Sequence, residues 1–187
     1  MKKYLSDYLY LFSISGAIVL LDQYTKYLVR SNLDYGEMWS PWPWLEPYAR
    51  IWNWNNTGAA FGMLQGYSWL FTILAIIVSI GIIVFFPRVP KEDWTLRLAL
   101  ALELGGAVGN LIDRLRFGSV TDFVSVGNFA VFNVADASIS LGVVVMIWGV
   151  WKRERDSKQV GQIGDAPVSQ PTAEAGEPSL PKDLHGE

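Results

Sequence analysis

The chain has 187 residues, of which 51% are hydrophobic and 14% aromatic, and this composition is too apolar for a typical water-soluble domain of that length. The absence of cysteine excludes disulfides and thiolate sites, and the single histidine, His185, lies two residues from the end of a polar tail, so we expect no thiol nucleophile and no histidine base. The net charge of −3, without a long basic block, predicts no nucleic-acid partner.

Residues 8–30 predict a first membrane-spanning helix. No charge occurs from Tyr8 to Leu21, and Asp22, Lys26 and Arg30 follow toward the end of the segment. We interpret the segment as a retained span and not a cleaved signal peptide, because no A-x-A-like cleavage site follows and polar residues continue the helical pattern.

Asp22 and Lys26 are four residues apart, which places them on one face of this helix. One interpretation is a structural ion pair that lowers the cost of two charges near lipid. The other is a lysine that loses its proton in apolar surroundings and activates a serine, as in Ser/Lys hydrolases. The sequence does not specify that serine and therefore favours the ion pair.

Residues 31–67 bring Pro, Gly, Asn and aromatic residues in short runs, and five of the nine tryptophans fall there. Tryptophan prefers the membrane interface, so we expect this segment to lie on the bilayer surface as short strands. Near its end, the sequence NNTGAAFG (residues 55–62) combines amides, which can hold an extended peptide, with small residues that allow close backbone approach. A helix N-cap with tight helix packing explains the same residues equally well.

Three further spans are predicted at residues 68–87, 96–112 and 134–151. Four spans place both termini on one side of the membrane. Of the lysines and arginines before residue 160, nine fall on the side of the termini and five on the other, and this excess predicts cytoplasmic termini. Residues 152–187, rich in charge and in small and turn-forming residues, predict a disordered cytoplasmic tail.

Polar residues interrupt the apolar sequence of the third span. Asn110, Asp113 and Arg114 are at positions i, i+3 and i+4, so they cluster on neighbouring faces if the helix continues through them. Arg114 can clamp a carbonyl or a lipid phosphate, or it can pair with Asp113. Glu103 has no partner that the sequence identifies.

Asp122 and Asp136 are the candidate catalytic pair. Asp122 follows the turn after the third span, and Asp136 lies three residues after Asn133 at the start of the fourth, so both acids can reach one outer-facing level. Two close carboxylates share a proton, so that one accepts a proton from attacking water while the other polarises the scissile carbonyl. The alternative is two caps, each aspartate accepting N–H bonds near a helix terminus.

Four sequence boxes occur in order: LDQYTK, NNTGAAFG, GGAVGNLIDR with VTDF, and FNVADASI. With four spans, they resemble the signature of the lipoprotein signal peptidase (signal peptidase II) family. The resemblance implies an all-α membrane protein with four transmembrane helices and a small extracytoplasmic β-cradle between the first and second helices. It also implies an aspartic endopeptidase of the bacterial inner membrane that cuts prolipoproteins just before the cysteine that carries diacylglycerol.

The resemblance also implies a role for each matching residue. The catalytic acids would be Asp122 and Asp136. The residues that contact or orient substrate would be Asn56, Asn110, Arg114 and Asn133. The structural polar residues would be Asp22, Lys26 and Asp113. No metal or organic cofactor is expected, and the expected partners are diacylglyceryl-modified prolipoproteins and membrane lipid. We expect a monomer whose active site lies near the outer face of the membrane.

The rival hypothesis is a small transporter or ion-conducting protein in which Asp22, Asp122 and Asp136 relay protons or cations. A relay needs carboxylates, but it has no evident need for the NNTGAA sequence or for an asparagine beside Asp136. The boxes therefore favour the peptidase.

Overall fold

The structure is a computed structural model that describes residues 4–58 and 63–164, with side chains described for 4–58 and 63–156. Its four α-helices are α1 (Leu5–Asn32), α2 (Ser68–Phe85), α3 (Trp94–Phe117) and α4 (Val134–Gly164), and a short 3₁₀ turn, Phe86–Arg88, follows α2. All four are long and apolar enough to cross a membrane, with mean hydropathy from 1.3 in α3 to 2.8 in the segment that contains α2. The prediction of four apolar spans is confirmed. The chain divides after Arg153 into two compact units, and the sheet, the bundle core and both cavities described below belong to the first.

Two helices run five or more residues past their predicted ends. The third span is predicted to end at residue 112, but α3 continues to Phe117, where Gly118 takes a left-handed conformation (φ 73°) that ends the helix. The disordered tail is predicted to begin at residue 152, but α4 continues to Gly164, because charged residues end a membrane span without breaking a helix and no proline occurs in this stretch. Residues 165–187 of the predicted tail lie outside the described residues.

A small antiparallel sheet lies beside the helices. Its strands are β1 (Met38–Trp39), β2 (Ala49–Asn56) and β3 (Val120–Val126), in the order β1-β2-β3. The first two come from the connection between α1 and α2, as predicted, but β3 comes from the connection between α3 and α4. The prediction of a sheet built between the first two helices is therefore incomplete. The register sets Asp122 of β3 opposite Trp54 of β2, which brings an acid from one connection beside the asparagines of the other.

Helix α3 is the centre of the bundle. In its apolar window 56% of the residues are buried, against 22% in each of the other three spans. A buried cluster joins α1, α2 and α3 through five side chains: Leu11, Ile82, Phe86, Ala101 and Leu104. On another side, Gly106 of α3 lets the start of α4 approach so closely that a Cβ there would lie 2.5 Å from the Ala135 carbonyl oxygen. The lack of a side chain at Gly106 therefore allows Asp136, the residue after Ala135, to lie close to α3.

We expect Gly106→Ala to destabilise the fold by about 1–3 kcal/mol, because the added methyl group must displace backbone at the start of α4. The matched control is Gly81→Ala in α2, where a Cβ would meet no atom within 4 Å. Thermal unfolding of both variants in detergent measures the difference. Equal stability of the two variants would contradict close α3–α4 packing.

Candidate active site

The polar residues of the four boxes converge at one end of the bundle. Asn56 lies on β2 and Asp122 on β3, while Asn110 lies in the last third of α3. Asn133 directly precedes α4, and Asp136 lies in its first turn. The fold therefore brings together side chains from four separate parts of the sequence, and both acids line one cavity.

Asp122 is held by two side-chain amides. Asn133 Nδ2 donates to its Oδ1 (2.7 Å), and Asn56 Nδ2 donates to its Oδ2 (3.0 Å). The side chain is almost fully buried. Burial and the nearby charge of Asp136 raise the pKa of Asp122 to about 7, although the two amides and the Lys26 ammonium favour the charged form. Asp122 can therefore hold a proton at neutral pH.

Asp136 belongs to a capping box at the start of α4. Asn133 Oδ1 accepts the Asp136 N–H (2.9 Å), and Asp136 Oδ2 accepts the Asn133 N–H (3.3 Å). The other carboxylate oxygen accepts from Asn110 Nδ2 (2.8 Å). Since Asn133 also donates to Asp122, a single asparagine links the two acids.

Lys26 fixes the orientation of the Asn110 amide. An ammonium can only donate, so the oxygen of Asn110 must face Lys26 Nζ, at 2.9 Å, and its nitrogen must face Asp136. Lys26 is fully buried, and its charge is balanced by Asp22 (2.9 Å) and Asp113 (3.4 Å). The structure thus shows the predicted pairing of Asp22 with Lys26. Among the described residues no serine contacts Lys26, which removes the support for a Ser/Lys hydrolase.

Asp22 and Asp113 each hold the backbone next to a candidate catalytic acid. Asp22 Oδ1 accepts the N–H of Ala135 (3.0 Å), the residue before Asp136. Asp113 Oδ2 accepts the N–H of Thr121 (3.0 Å), the residue before Asp122. Both aspartates are fully buried, so these bonds fix the start of α4 and the start of β3 relative to α1 and α3.

Two residues of this network escaped the sequence analysis. Gln23 Nε2 donates to Asp113 Oδ1 (3.0 Å), to Asp22 Oδ2 (3.2 Å) and to the Gly109 carbonyl. Arg30 donates to Thr121 Oγ1 (2.9 Å) and lies 3.6 Å from Asp113. A sequence signal existed for both, because Gln23, Lys26 and Arg30 recur at the spacing of one helix face.

The cavity that Asp122 and Asp136 line is large and mostly apolar. Its volume is about 680 Å³. Its polar lining consists of Asn56, Asn110, Arg114, Asp122 and Asp136. Much of its apolar lining comes from α2, α4 and the β3–α4 connection, namely Phe71, Phe129, Phe132, Ile139, Leu141 and Val144. A site of this kind can hold a lipid-like group next to an acid pair.

Arg114 stands apart from the ion pairs of the network. Its guanidinium lies 5.5 Å from the centre of the Phe71 ring, and the carboxylate of Asp113 pairs with Lys26 and Arg30. Within the part of the chain that the structure describes, Arg114 forms no ion pair with Asp113, so that alternative is wrong. Arg114 lines the cavity, and a guanidinium there is a donor suited to a carbonyl or phosphate oxygen.

Other predicted features are less informative. Asn56 Oδ1 accepts the Gly58 N–H (2.9 Å), which orients its amide toward Asp122, but Ala59 to Gly62 of the NNTGAAFG box lie outside the described residues. Glu103 is half-buried in α3 near Gly142. In the described ranges, no three carboxylate or imidazole groups converge where a metal ion could bind.

The positions of the acids bear on the helix-cap and ion-relay interpretations. The cap interpretation fits Asp136 in part, but Asp122 lies within a strand and accepts from side-chain amides instead of a helix terminus. The ion-relay interpretation gains no support from the described residues, because Asp22, Asp122 and Asp136 lie at one end of the bundle and a buried apolar cluster joins α1, α2 and α3.

Comparisons with known proteins find similar sequences and a similar solved structure. A family model described as signal peptidase (SPase) II matches residues 14–152. The lipoprotein signal peptidase of Halalkalibacterium halodurans is 41% identical over 150 residues, which cover 78% of this chain and 94% of that protein. The corresponding protein of Listeria monocytogenes is 38% identical over 157 residues, covering 81% and 99%. A solved bacterial membrane enzyme superposes with a TM-score of 0.71 at 31% identity, covering 78% of this chain and 90% of that one.

Proposed function

Because the chain belongs to the signal peptidase II family, we propose that Asp122 and Asp136 form an aspartic dyad that cuts prolipoproteins immediately before the diacylglyceryl-modified cysteine. Membership of the family makes the chain a multi-pass peptidase of the bacterial inner membrane that removes signal peptides from lipoproteins. The observation that supports the proposed dyad is that the two acids, bridged by Asn133, line one mostly apolar cavity.

The dyad activates water without a covalent intermediate. Asp122, whose pKa is raised to about 7, keeps its proton and polarises the scissile carbonyl by donating a hydrogen bond to its oxygen. Asp136 removes a proton from water as the water oxygen attacks the carbonyl carbon. In the second step the C–N bond breaks, and the proton held by Asp136 passes to the departing amine of the cysteine. No metal or organic cofactor takes part.

The cavity that the two acids line supports the proposed substrate. Its phenylalanine and aliphatic lining suits the acyl chains of a diacylglyceryl group, and Arg114 offers donors to a peptide carbonyl. Anchoring by the lipid holds the scissile bond at the dyad, which replaces a diffusional encounter by a positioned one. Asn56, Asn110 and Asn133 hold the acids at the wall of the cavity.

We place the termini in the cytoplasm and the dyad near the outer face. The excess of lysine and arginine at the end of the bundle that carries the termini supports this orientation. We further propose that a single copy is sufficient, because every residue of the proposed dyad and its network comes from one chain.

The activity should fall above about pH 7. Because its pKa is raised to about 7, Asp122 keeps its proton below that pH and loses it as the pH rises through about 7, and the ionised form cannot donate to the carbonyl. We expect kcat/KM to fall roughly tenfold per pH unit on the alkaline side. Initial rates from pH 6 to pH 9, at temperatures where the protein stays folded, measure this, and a flat profile would contradict the assigned proton donor.

Cleavage of matched substrates tests the proposed function. The purified chain is incubated with a prolipoprotein whose cysteine carries diacylglycerol and with the same protein without the lipid, and the products are mapped by mass spectrometry. We expect cleavage directly before the cysteine in the lipidated protein, and a much slower reaction in the other. Cleavage at another bond, or equal rates for both substrates, would overturn the proposed specificity.

A further inference from the structure

A second cavity lies at the end of the bundle opposite the dyad. Its volume is about 250 Å³, and its lining comes from the start of α1 and the start of α3 with the preceding loop, namely Ser6, Asp7, Tyr10, Lys91, Trp94 and Arg97. The proposed peptidase reaction uses none of these residues. The cavity lies where two spans begin, which is the level of the lipid headgroups.

The wall of this cavity contains an internally balanced ion pair. Arg97 Nη2 lies 2.9 Å from Asp7 Oδ1, and both side chains are buried. The guanidinium also donates to the Val89 carbonyl and lies over the rings of Tyr10 and Phe86, at 5.3 and 4.6 Å from their centres. Arg97 and Asp7 therefore form a rigid, neutral wall.

Lys91 is the uncompensated cation of the cavity. Its Nζ donates to the neutral Ser6 hydroxyl (3.1 Å), which leaves two of its three donors for a ligand. Among the described residues, the other nearby acids are paired with an arginine or do not line the cavity. Asp7 pairs with Arg97, Asp93 caps α3 and pairs with Arg153, and the Glu92 side chain is exposed. The cavity thus presents one net positive charge.

Aromatic residues border the same cavity. The Trp94 ring is about half-exposed and contacts the Trp148 ring of α4 edge to face, with centres 5.6 Å apart. Tryptophan rings at the ends of spans lie at the headgroup level, where they contact glycerol and the upper acyl chain. A lysine, a hydroxyl and an aromatic ring together are suited to the phosphate and glycerol of a phospholipid.

We propose that this cavity binds the phosphodiester headgroup of an anionic membrane phospholipid. The phosphate accepts from Lys91 and from the Ser6 hydroxyl, and the glycerol lies against Trp94. Basic pockets between transmembrane helices bind lipid headgroups in this way, and a single lysine near the surface contributes about fivefold in affinity. The site joins α1 to α3 at the end remote from the dyad.

Native mass spectrometry of the full chain in detergent tests the site, with phosphatidylglycerol and phosphatidylcholine as the probes. We expect tighter binding of phosphatidylglycerol to the wild type, about fivefold weaker binding to Lys91→Ala, and retained binding to Lys91→Arg. The matched control is Lys152→Ala, because Lys152 is exposed, lies over Trp148 at 5.9 Å and does not line the cavity.

Three results would overturn the proposal. One is equal binding by the wild type and a folded Lys91→Ala variant, and another is an equal loss in Lys152→Ala, which would indicate general surface charge. The third is displacement of the lipid by excess inorganic phosphate, which would mean that the cavity recognises free phosphate. Each result is independent of peptidase activity, so it is read separately from the proposed function.

Discussion

Replacing Asp122 or Asp136 by asparagine is expected to reduce cleavage of a lipidated prolipoprotein on the order of 10⁴-fold. Asparagine has nearly the size of aspartate but cannot donate a carboxyl proton or accept one from water. At position 122 it also cannot accept from both Asn133 and Asn56, so one amide contact is lost. Initial rates with purified variants in detergent measure the loss.

The control for these variants is Asp34→Asn. Asp34 is exposed in the connection that follows α1, outside the proposed dyad and its network. We expect this variant to cut at the wild-type rate. Thermal unfolding of each variant shows whether it is folded. A folded Asp122→Asn or Asp136→Asn variant that retains a tenth or more of the wild-type rate would show that the replaced acid is not a catalyst.

Removing the charge of Lys26 is expected to have the largest effect on stability. Lys26→Met would leave the buried Asp22 without a cation and Asp113 with Arg30 alone, at 3.6 Å, and breaking a buried ion pair costs about 3–5 kcal/mol. It would also free the Asn110 amide to turn away from Asp136. We expect a large loss of thermal stability, together with slower cleavage by the fraction that stays folded.

The matched control is Lys152→Met, which removes an exposed lysine from the other end of the bundle. Its stability should change by less than about 0.5 kcal/mol. The double variant Lys26→Met/Asp22→Asn should recover part of the lost stability, because it removes the buried charge that Lys26 alone balances. A Lys26→Met variant as stable as its control would show that the buried network does not support the site.

The spans and the polar cluster were predictable for a common physical reason. Because charged groups are costly in lipid, the uncharged stretch of α2 predicted a membrane span. For the same reason, the acids within α1, α3 and α4 predicted a functional site. The spacing of Asp22 and Lys26 predicted their pairing, which the structure shows. The four boxes predicted the family, which the comparisons confirm.

Strand β3 and the partners of the acids were not predictable in the same way. The segment VTDFVSV is rich in β-branched residues, but strands are predicted from the sequence only in residues 31–67, and pairing of β3 with β2 depends on contacts distant in sequence. The partner of Asp113 was also missed, because neighbouring Arg114 points into the cavity while Lys26 and Arg30 approach Asp113 from α1. Spacing in the sequence shows which residues share one face of a helix, but it does not show which residues of a neighbouring helix lie against that face.

The central claim is that the two acids act together on one water, and the double variant Asp122→Asn/Asp136→Asn tests it most directly. When two groups act as a unit, removing either one already abolishes their joint effect. The double variant should therefore be no more than about threefold slower than the slower single variant. The measurement is the cleavage rate of all four proteins on one lipidated prolipoprotein. Losses that multiply in the double variant would mean that the two acids contribute independently, and the shared-water dyad would be contradicted.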